Sequence, residues 1–185
     1  MRILIAVALA LLVSAASPLS AQSLGFDEWP DATVVTDQYA ARGVVFSSQA
    51  QGPFCFGVFG RPASFRNYLV GEHEGTVDKN DSSEFGNGRP AAGISMAFVA
   101  GEGRPGTTAR VSLVIVYLNV GSLARVRGLN AEGAVVAEAT VSGRLGVTAL
   151  PVELRAASLS TVHVTFERPD GFEDNAGIDD VDFDP

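Results

Sequence analysis

The sequence predicts an all-β protein with the architecture of an antiparallel β-sandwich. Apolar and β-branched residues alternate in short runs, Gly, Pro, Asn and Asp separate these runs, and no stretch carries a convincing helical period. Many short strands at a spacing of about ten residues are typical of sandwiches rather than parallel sheets. The predicted strands are Val44–Ser47, Cys55–Phe59, Ile94–Ala100, Ala109–Asn119, Ala124–Leu129, Ala134–Val141, Val147–Leu154, Thr161–Glu167 and Ile178–Phe183.

Two of these runs indicate how strands are placed in the sandwich. In Thr161–Glu167 the residues Val162, Val164 and Phe166 share one face, so this strand is expected to have a core face and a solvent face. The run Val111–Leu118 is apolar at nearly every position, as in a central strand that is covered on both sides.

The connections between strands carry turn residues. Asn130–Gly133 is expected to form a tight hairpin, and Ser142–Arg144 joins the next pair of strands. Residues 71–93 are almost free of apolar side chains and are expected to form a long loop, where ligand contacts are most often found.

The first residues are typical of a secretory signal peptide. Arg2 precedes the apolar run Ile3–Val13, and the small residues of Ser14–Ala21 follow. The run is shorter than the roughly 20 residues that a membrane-spanning helix needs. We therefore expect cleavage after Ala21 and a secreted or periplasmic protein in which 22–185 form a single β-sandwich domain.

The charge balance excludes one class of partner. The chain has 13 Lys and Arg against 21 Asp and Glu, a formal net charge of −8. Nucleic acids need a basic surface that releases counterions, so no nucleic-acid partner is expected, and anionic membranes are disfavoured for the same reason. Neutral polysaccharides, cell-surface glycans and divalent cations are compatible with this charge.

A single cysteine, Cys55, rules out an intrachain disulfide. Its neighbours Phe54 and Phe56 favour an inert buried thiol, and a reactive or interchain thiol is the alternative. We expect a monomer.

The acidic end of the chain points to a cation. Within the last predicted strand Asp179 shares its parity with Val181 and Phe183, whereas Asp180 and Asp182 share the other parity. If Val181 and Phe183 face the core, so does Asp179, and a buried carboxylate needs a metal, a distant Arg or backbone amides. The other parity is expected to form a solvated acidic edge that discourages pairing with other chains.

Saccharide recognition would use aromatic rings beside polar groups, because one face of a sugar ring is apolar and its hydroxyls form hydrogen bonds. The candidate ligand-binding residues are Trp29, Arg66, Asn67, Tyr68, Glu72, Phe85 and Asn87. Alternatively, Trp29 covers the end of the sandwich and Tyr68 belongs to the core.

No catalytic motif is complete. The segment Gly93–Ala97 lacks the second glycine of a nucleophile elbow, and His73-Glu74 lacks the second histidine of a zinc site. The other histidine, His163, lies on the solvent face of its predicted strand. No catalytic residue is assigned.

Three stretches carry a resemblance to a known family. Phe26–Phe46 and Val162–Phe183 resemble the terminal strands of galactose-binding-like β-jelly-roll domains of secreted bacterial proteins, and Val126–Val141 is similar to their hairpin. The family includes carbohydrate-binding modules and exported proteins that carry a PEP-type C-terminal sorting tail. No apolar tail precedes Pro185, so anchoring through such a tail is not expected.

The resemblance implies a jelly roll whose first and last strands lie side by side. It also implies a structural Ca²⁺ where Asp27 or Glu28 at the start meets Asp179 or Asp180 at the end, since Ca²⁺ prefers oxygen ligands. The expected function is a non-catalytic, exported carbohydrate- or cell-surface-binding module. A structural or adhesive envelope protein without a small ligand, and a hydrolase or lyase on the same scaffold, are the alternatives.

Overall fold

The computed structural model describes residues 21–30, 33, 35–48, 56–61, 65–71, 93–147, 149–168 and 176–184, with the backbone alone for 48, 56–61, 65–71 and 102. Within them two antiparallel sheets pack face to face, which confirms the predicted all-β sandwich. Helical structure in the described residues is confined to the 3₁₀ turns Ala40–Arg42 and Gly101–Gly103. None of the described helical segments has the length and apolar character needed to cross a bilayer.

Sheet A contains both the first and the last described strands. Its strands in spatial order are β10 (Ala149–Leu159), β7 (Thr108–Val116), β12 (Gly177–Phe183), β4 (Phe65–Gly71) and β3 (Phe56–Arg61). The short strand β1 (Gln22–Leu24) also pairs with β12, next to the position where β4 pairs with it. The first described strand therefore lies beside the last. The first strand predicted from the sequence, Val44–Ser47, is β2 and pairs with β5 in sheet B, so the early segment named in the family resemblance is not the one beside β12.

Sheet B forms the other layer. Its strands in spatial order are β2 (Val44–Ser48), β5 (Ile94–Ala100), β11 (Thr161–Glu167), β8 (Leu123–Leu129) and β9 (Val135–Ser142), and the short β6 (Arg104–Pro105) pairs with β5. The bounds of β5 and β11 agree with the sequence prediction. The strands β1, β4 and β6 were not predicted.

The core lies between the sheets and follows the alternation expected from the sequence. On β11 the side chains of Val162, Val164 and Phe166 are buried, as predicted. The central strand β7 buries Val111, Leu113 and Ile115 in the core, while Ser112 and Val114 are half-buried on the opposite face. The predicted cover on both sides of this strand is thus only partial for the residues described.

The two predicted turns have different roles. Asn130 closes the β8–β9 hairpin as expected, since its side-chain oxygen accepts hydrogen bonds from the backbone N–H groups of Glu132 and Ala134 at 3.2 and 2.9 Å. The turn Ser142–Arg144 does not form a second hairpin within one sheet. It carries the chain from β9 in sheet B to β10 in sheet A.

The N-terminal segment is fastened to the sandwich by Tyr39 and Arg42. The Tyr39 hydroxyl is 2.8 Å from the carbonyl oxygen of Gly25 and 2.8 Å from the Glu28 carboxylate. Arg42 donates to the backbone carbonyl of Ser23, and its guanidinium lies 5.6 Å from the centre of the Tyr39 ring. These contacts hold β1 in place beside β12.

Candidate functional site

A bulge in β12 decides which way the acidic side chains of this strand point. In the pairing of β12 with β7, Asp179 lies opposite Val114 and Asp182 lies opposite Ser112, so two intervening residues of β12 face one of β7. Asp180 adopts a left-handed conformation with φ of 46°, which Asp tolerates better than most residues. Its backbone N–H donates to the Asp179 carboxylate at 2.8 Å.

The bulge overturns the parity argument made from the sequence. In a regular strand Ile178 and Val181 would point to opposite faces. Both face the core here, because the bulge adds one residue between them. Asp179 therefore lies on the outer face of sheet A, opposite Val114, and not on the face of Val181 and Phe183. Its side chain is nevertheless buried, at 7% exposure.

A groove of about 410 Å³ crosses this outer face of sheet A. It runs over β1, β12, β7 and β10, so its walls come from both ends and the middle of the described chain. Its lining residues are Ser23, Ser112, Leu113, Val114, Pro151, Val152, Asp180 and Asp182.

Strand register arranges the groove in two rows. In the polar row, Ser112 is flanked by Glu153 on one side and Asp182 on the other, and Ser23 lies beyond Asp182. In the apolar row, Val114 of β7 lies opposite Pro151 of β10. Hydroxyl and carboxylate oxygens are thus set directly beside an aliphatic surface.

Two arginines border the polar row and compensate part of its charge. Arg155 donates to the Glu153 carboxylate at 2.7 and 3.2 Å, and this hydrogen bonding holds the Glu153 pKa below its usual value. Arg110 lies 3.3 Å from the Asp184 carboxylate and 3.7 Å from that of Glu153, and the hydrogen bond to Asp184 raises the Arg110 pKa. Glu153 and Asp184, the two carboxylates at this border, are thus each paired with an arginine.

The predicted calcium ligands do not form a metal cluster in the described part of the chain. Asp27 and Glu28 are exposed, and Glu28 instead accepts from Tyr39 and lies 3.9 Å from Arg42. No group of three or more His, Cys, Asp or Glu residues close enough to hold a metal ion occurs among the described residues. A site that joins Asp27 or Glu28 to Asp179 or Asp180 stays a prediction.

Chelation tests that prediction. If Ca²⁺ binds the folded protein, EDTA is expected to lower the melting temperature and added Ca²⁺ to restore it. At a free concentration 100 times the Kd, stabilisation should be about 2.7 kcal/mol. A thermal unfolding curve that is identical in EDTA and in Ca²⁺ would show that Ca²⁺ does not stabilise the folded protein.

Trp29 has a structural role in the described contacts. Its indole N–H donates to the Tyr39 hydroxyl at 2.8 Å, and its ring packs edge-on against that of Tyr39 at 6.3 Å. Burial, followed by the hydrogen bond to Glu28, raises the pKa of Tyr39, so this phenol stays protonated. Trp29 thus packs on the edge of the core, which agrees with the alternative considered from the sequence.

The remaining sequence-predicted ligand residues are placed only in part. The backbone of Arg66, Asn67 and Tyr68 lies in β4, between β3 and β12, and their side chains are outside the description. The other predictions that lie outside the described residues are the signal peptide, except for its last residue Ala21, together with Cys55, the loop between Gly71 and Gly93, Glu72, His73, Phe85 and Asn87.

His163, the histidine among the described residues, lies on the outer face of sheet B. His163 lies opposite Ser95 of β5 and opposite Arg127 of β8. Burial, followed by the charge of Arg127, lowers the His163 pKa, and Arg127 itself donates to Glu138 at 3.0 Å. A nucleophilic serine needs a histidine that can become positively charged, usually beside an acid, and Arg127 opposes that charge. Arg127 therefore disfavours a charged imidazole beside Ser95, and no catalytic role is assigned to this pair.

Sequence reasoning did not find most of the groove. Ser23, Ser112, Val114 and Pro151 come from three strands far apart in the chain, and only the register brings them together. One signal was available: Ser112 interrupts the apolar run Val111–Leu118, which marks the outer face of a strand whose other face is core.

Comparisons with known proteins identify no family. No protein-family model and no curated protein matches the chain. An arabinose-bound α-L-arabinofuranosidase, MgGH51, is similar in structure over 90% of this chain and 26% of its own, with 13% identity and a TM-score of 0.48. The CBM22-1–GH10 modules of Clostridium thermocellum endo-1,4-β-D-xylanase 10B, complexed with xylohexaose, are similar over 91% and 28%, with 13% identity and a TM-score of 0.36. The chain spans about a quarter of the length of these solved structures.

Proposed function

We propose that the protein is a non-catalytic, exported module that binds a neutral saccharide of a polysaccharide or cell-surface glycan. The groove on sheet A is the observation that carries this proposal. Its volume of about 410 Å³ falls in the range of small-ligand sites. Export rests on the signal peptide predicted from the sequence.

The two rows of the groove match the two surfaces of a sugar ring. The hydroxyls of Ser23 and Ser112 can donate and accept hydrogen bonds, and the Asp182 carboxylate accepts them. Val114 and Pro151 offer an aliphatic surface for the C–H face of the ring. Because the groove is built on paired strands, these groups are held by the register of the sheet and not by a loop.

The experiment is a binding screen with variants in the polar row. Purified protein is titrated with neutral polysaccharides and oligosaccharides by affinity electrophoresis and calorimetry. Asp182→Asn and Ser112→Ala are each expected to weaken binding by several-fold to tenfold or more, since a hydrogen bond contributes roughly 0.5–1.5 kcal/mol and one to a charged group roughly 1.5–3. Thr140→Ala, on the exposed face of β9, is the control and should bind as the wild type.

The outcomes separate the alternatives. A screen in which no saccharide binds would contradict the proposal and favour a structural or adhesive envelope protein. Release of shortened products from a bound glycan would favour a hydrolase or lyase. Binding that both variants leave unchanged would mean that the saccharide does not occupy the groove.

A further inference from the structure

We infer that Asp182 makes the groove select uncharged saccharides against those that carry a carboxylate. This inference rests on the proposed function and names the ligand class of the same site. It assigns Asp182 as the specificity-determining residue, because its charge is the one that the neighbouring arginines compensate least.

The carboxylates around the polar row are compensated to different degrees. Glu153 forms two hydrogen bonds with Arg155, and Asp184 faces Arg110 at 3.3 Å. Asp182 forms no hydrogen bond or ion pair with another described residue. Its electrostatic interaction with Arg110 is weaker than those that Asp184 and Glu153 make with the same arginine. Its negative charge is therefore directed toward the groove.

The other described residues that line the groove add negative charge and no positive charge. The described lining contains no Lys, Arg or His that could receive an anionic group, and it contains a second carboxylate, Asp180. A ligand carboxylate that enters this groove meets carboxylates in its lining, whereas the arginines at its border are held by Glu153 and Asp184. A ligand hydroxyl in the same position can donate a hydrogen bond to Asp182, whereas a ligand carboxylate cannot.

Asp182 has a central position within the polar row. It lies between Ser112 of β7 and Ser23 of β1, both of which carry hydroxyls on the same face. A sugar that is oriented by these two hydroxyls brings its ring substituents to Asp182. The charge of a substituent is thus sensed at the centre of the site and not at its border.

The experiment compares matched neutral and acidic ligands. Gluco-, manno- and galacto-hexasaccharides are titrated first, and the one that binds is paired with its counterpart oxidised to the uronate at C6. Wild-type protein is expected to prefer the neutral ligand by about fivefold or more, the effect of two unit charges about 4 Å apart in water. Asp182→Asn should reduce this preference at least twofold, partly by increasing uronate binding, and Asp180 accounts for what remains.

Two controls keep the result specific. Glu132→Gln removes the same charge from the exposed β8–β9 turn and should leave the preference unchanged. Thermal unfolding of Asp182→Asn verifies its folding, and salt gives a second measurement on the wild type. Raising the ionic strength until the Debye length falls from ~10 Å to ~3 Å should reduce the preference.

The failures are distinguishable. If no neutral hexasaccharide or polysaccharide binds, the proposed function is wrong, and so is the selectivity assigned to Asp182. If neutral and uronate ligands bind wild-type protein equally, or if Asp182→Asn keeps the wild-type preference, saccharide binding stands and the role of Asp182 is overturned.

Discussion

Replacing Phe183 by alanine is expected to lower the free energy of unfolding by about 3–5 kcal/mol, as for a large aromatic residue removed from a close-packed core. The Phe183 side chain is 1% exposed and its ring lies 5.2 Å from that of Phe98 in sheet B. Its backbone pairs with Val111 of β7 on one side and with Gln22 of β1 on the other. The residue therefore joins both sheets and both ends of the described chain.

The measurement is the free energy of unfolding in urea for the wild type, Phe183→Ala and two controls. Phe183→Leu keeps most of the volume and should lose clearly less stability. Val136→Ala, at a side chain that is 43% exposed, should change stability by no more than about 0.5 kcal/mol. If Phe183→Ala were as stable as Val136→Ala, closure of the sandwich by the last strand would not contribute to stability.

Gly143→Ala is expected to lower the free energy of unfolding by about 3 kcal/mol or more. This is at or above the upper end of the destabilisation that overpacking usually causes. A Cβ atom at this position would lie 1.8 Å from the backbone oxygen of Asn119 and 2.7 Å from that of Leu118. Backbone atoms cannot rotate away as a side chain can, so the crossing from β9 to β10 would have to move. The Gly143 N–H, which donates to the Ser122 carbonyl at 2.9 Å, would move with it.

Gly101→Ala is the matched control for this substitution. It makes the same chemical change at an exposed site where an added Cβ meets nothing within 4 Å. Its effect should stay within about 0.5 kcal/mol. Equal unfolding midpoints in urea for Gly143→Ala and Gly101→Ala would show that the two turns do not pack as described.

The sequence was most informative where one face of a strand is core and the other is not. The alternation in Thr161–Glu167 predicted both the bounds and the buried face of β11, because a period of two has a single physical interpretation. The strand β1 was missed because three residues are too few to show a period. The family resemblance covered Phe26–Phe46, which begins after β1, so it did not place β1 beside β12 either.

The candidate site was harder to predict because it depends on register. A single added residue in β12 moves Asp179 to the outer face, and parity counted along the sequence does not reveal such a bulge. Trp29, chosen for its aromatic ring, donates a hydrogen bond to Tyr39 and lies away from this groove, and its contact with a ligand stays a prediction. The aliphatic surface of the groove comes from Val114 and Pro151, whose neighbourhood appears only when β7 and β10 are paired.

The most direct test of the saccharide groove is backbone amide chemical-shift mapping with a neutral oligosaccharide that binds. If the saccharide occupies the groove, the shifts will concentrate on Ser23, Ser112, Val114 and Asp182, on the outer face of sheet A. Amides of β11 on sheet B, among them His163, should not move. Shifts that concentrate on sheet B, with the groove residues unchanged, would show that the saccharide binds elsewhere.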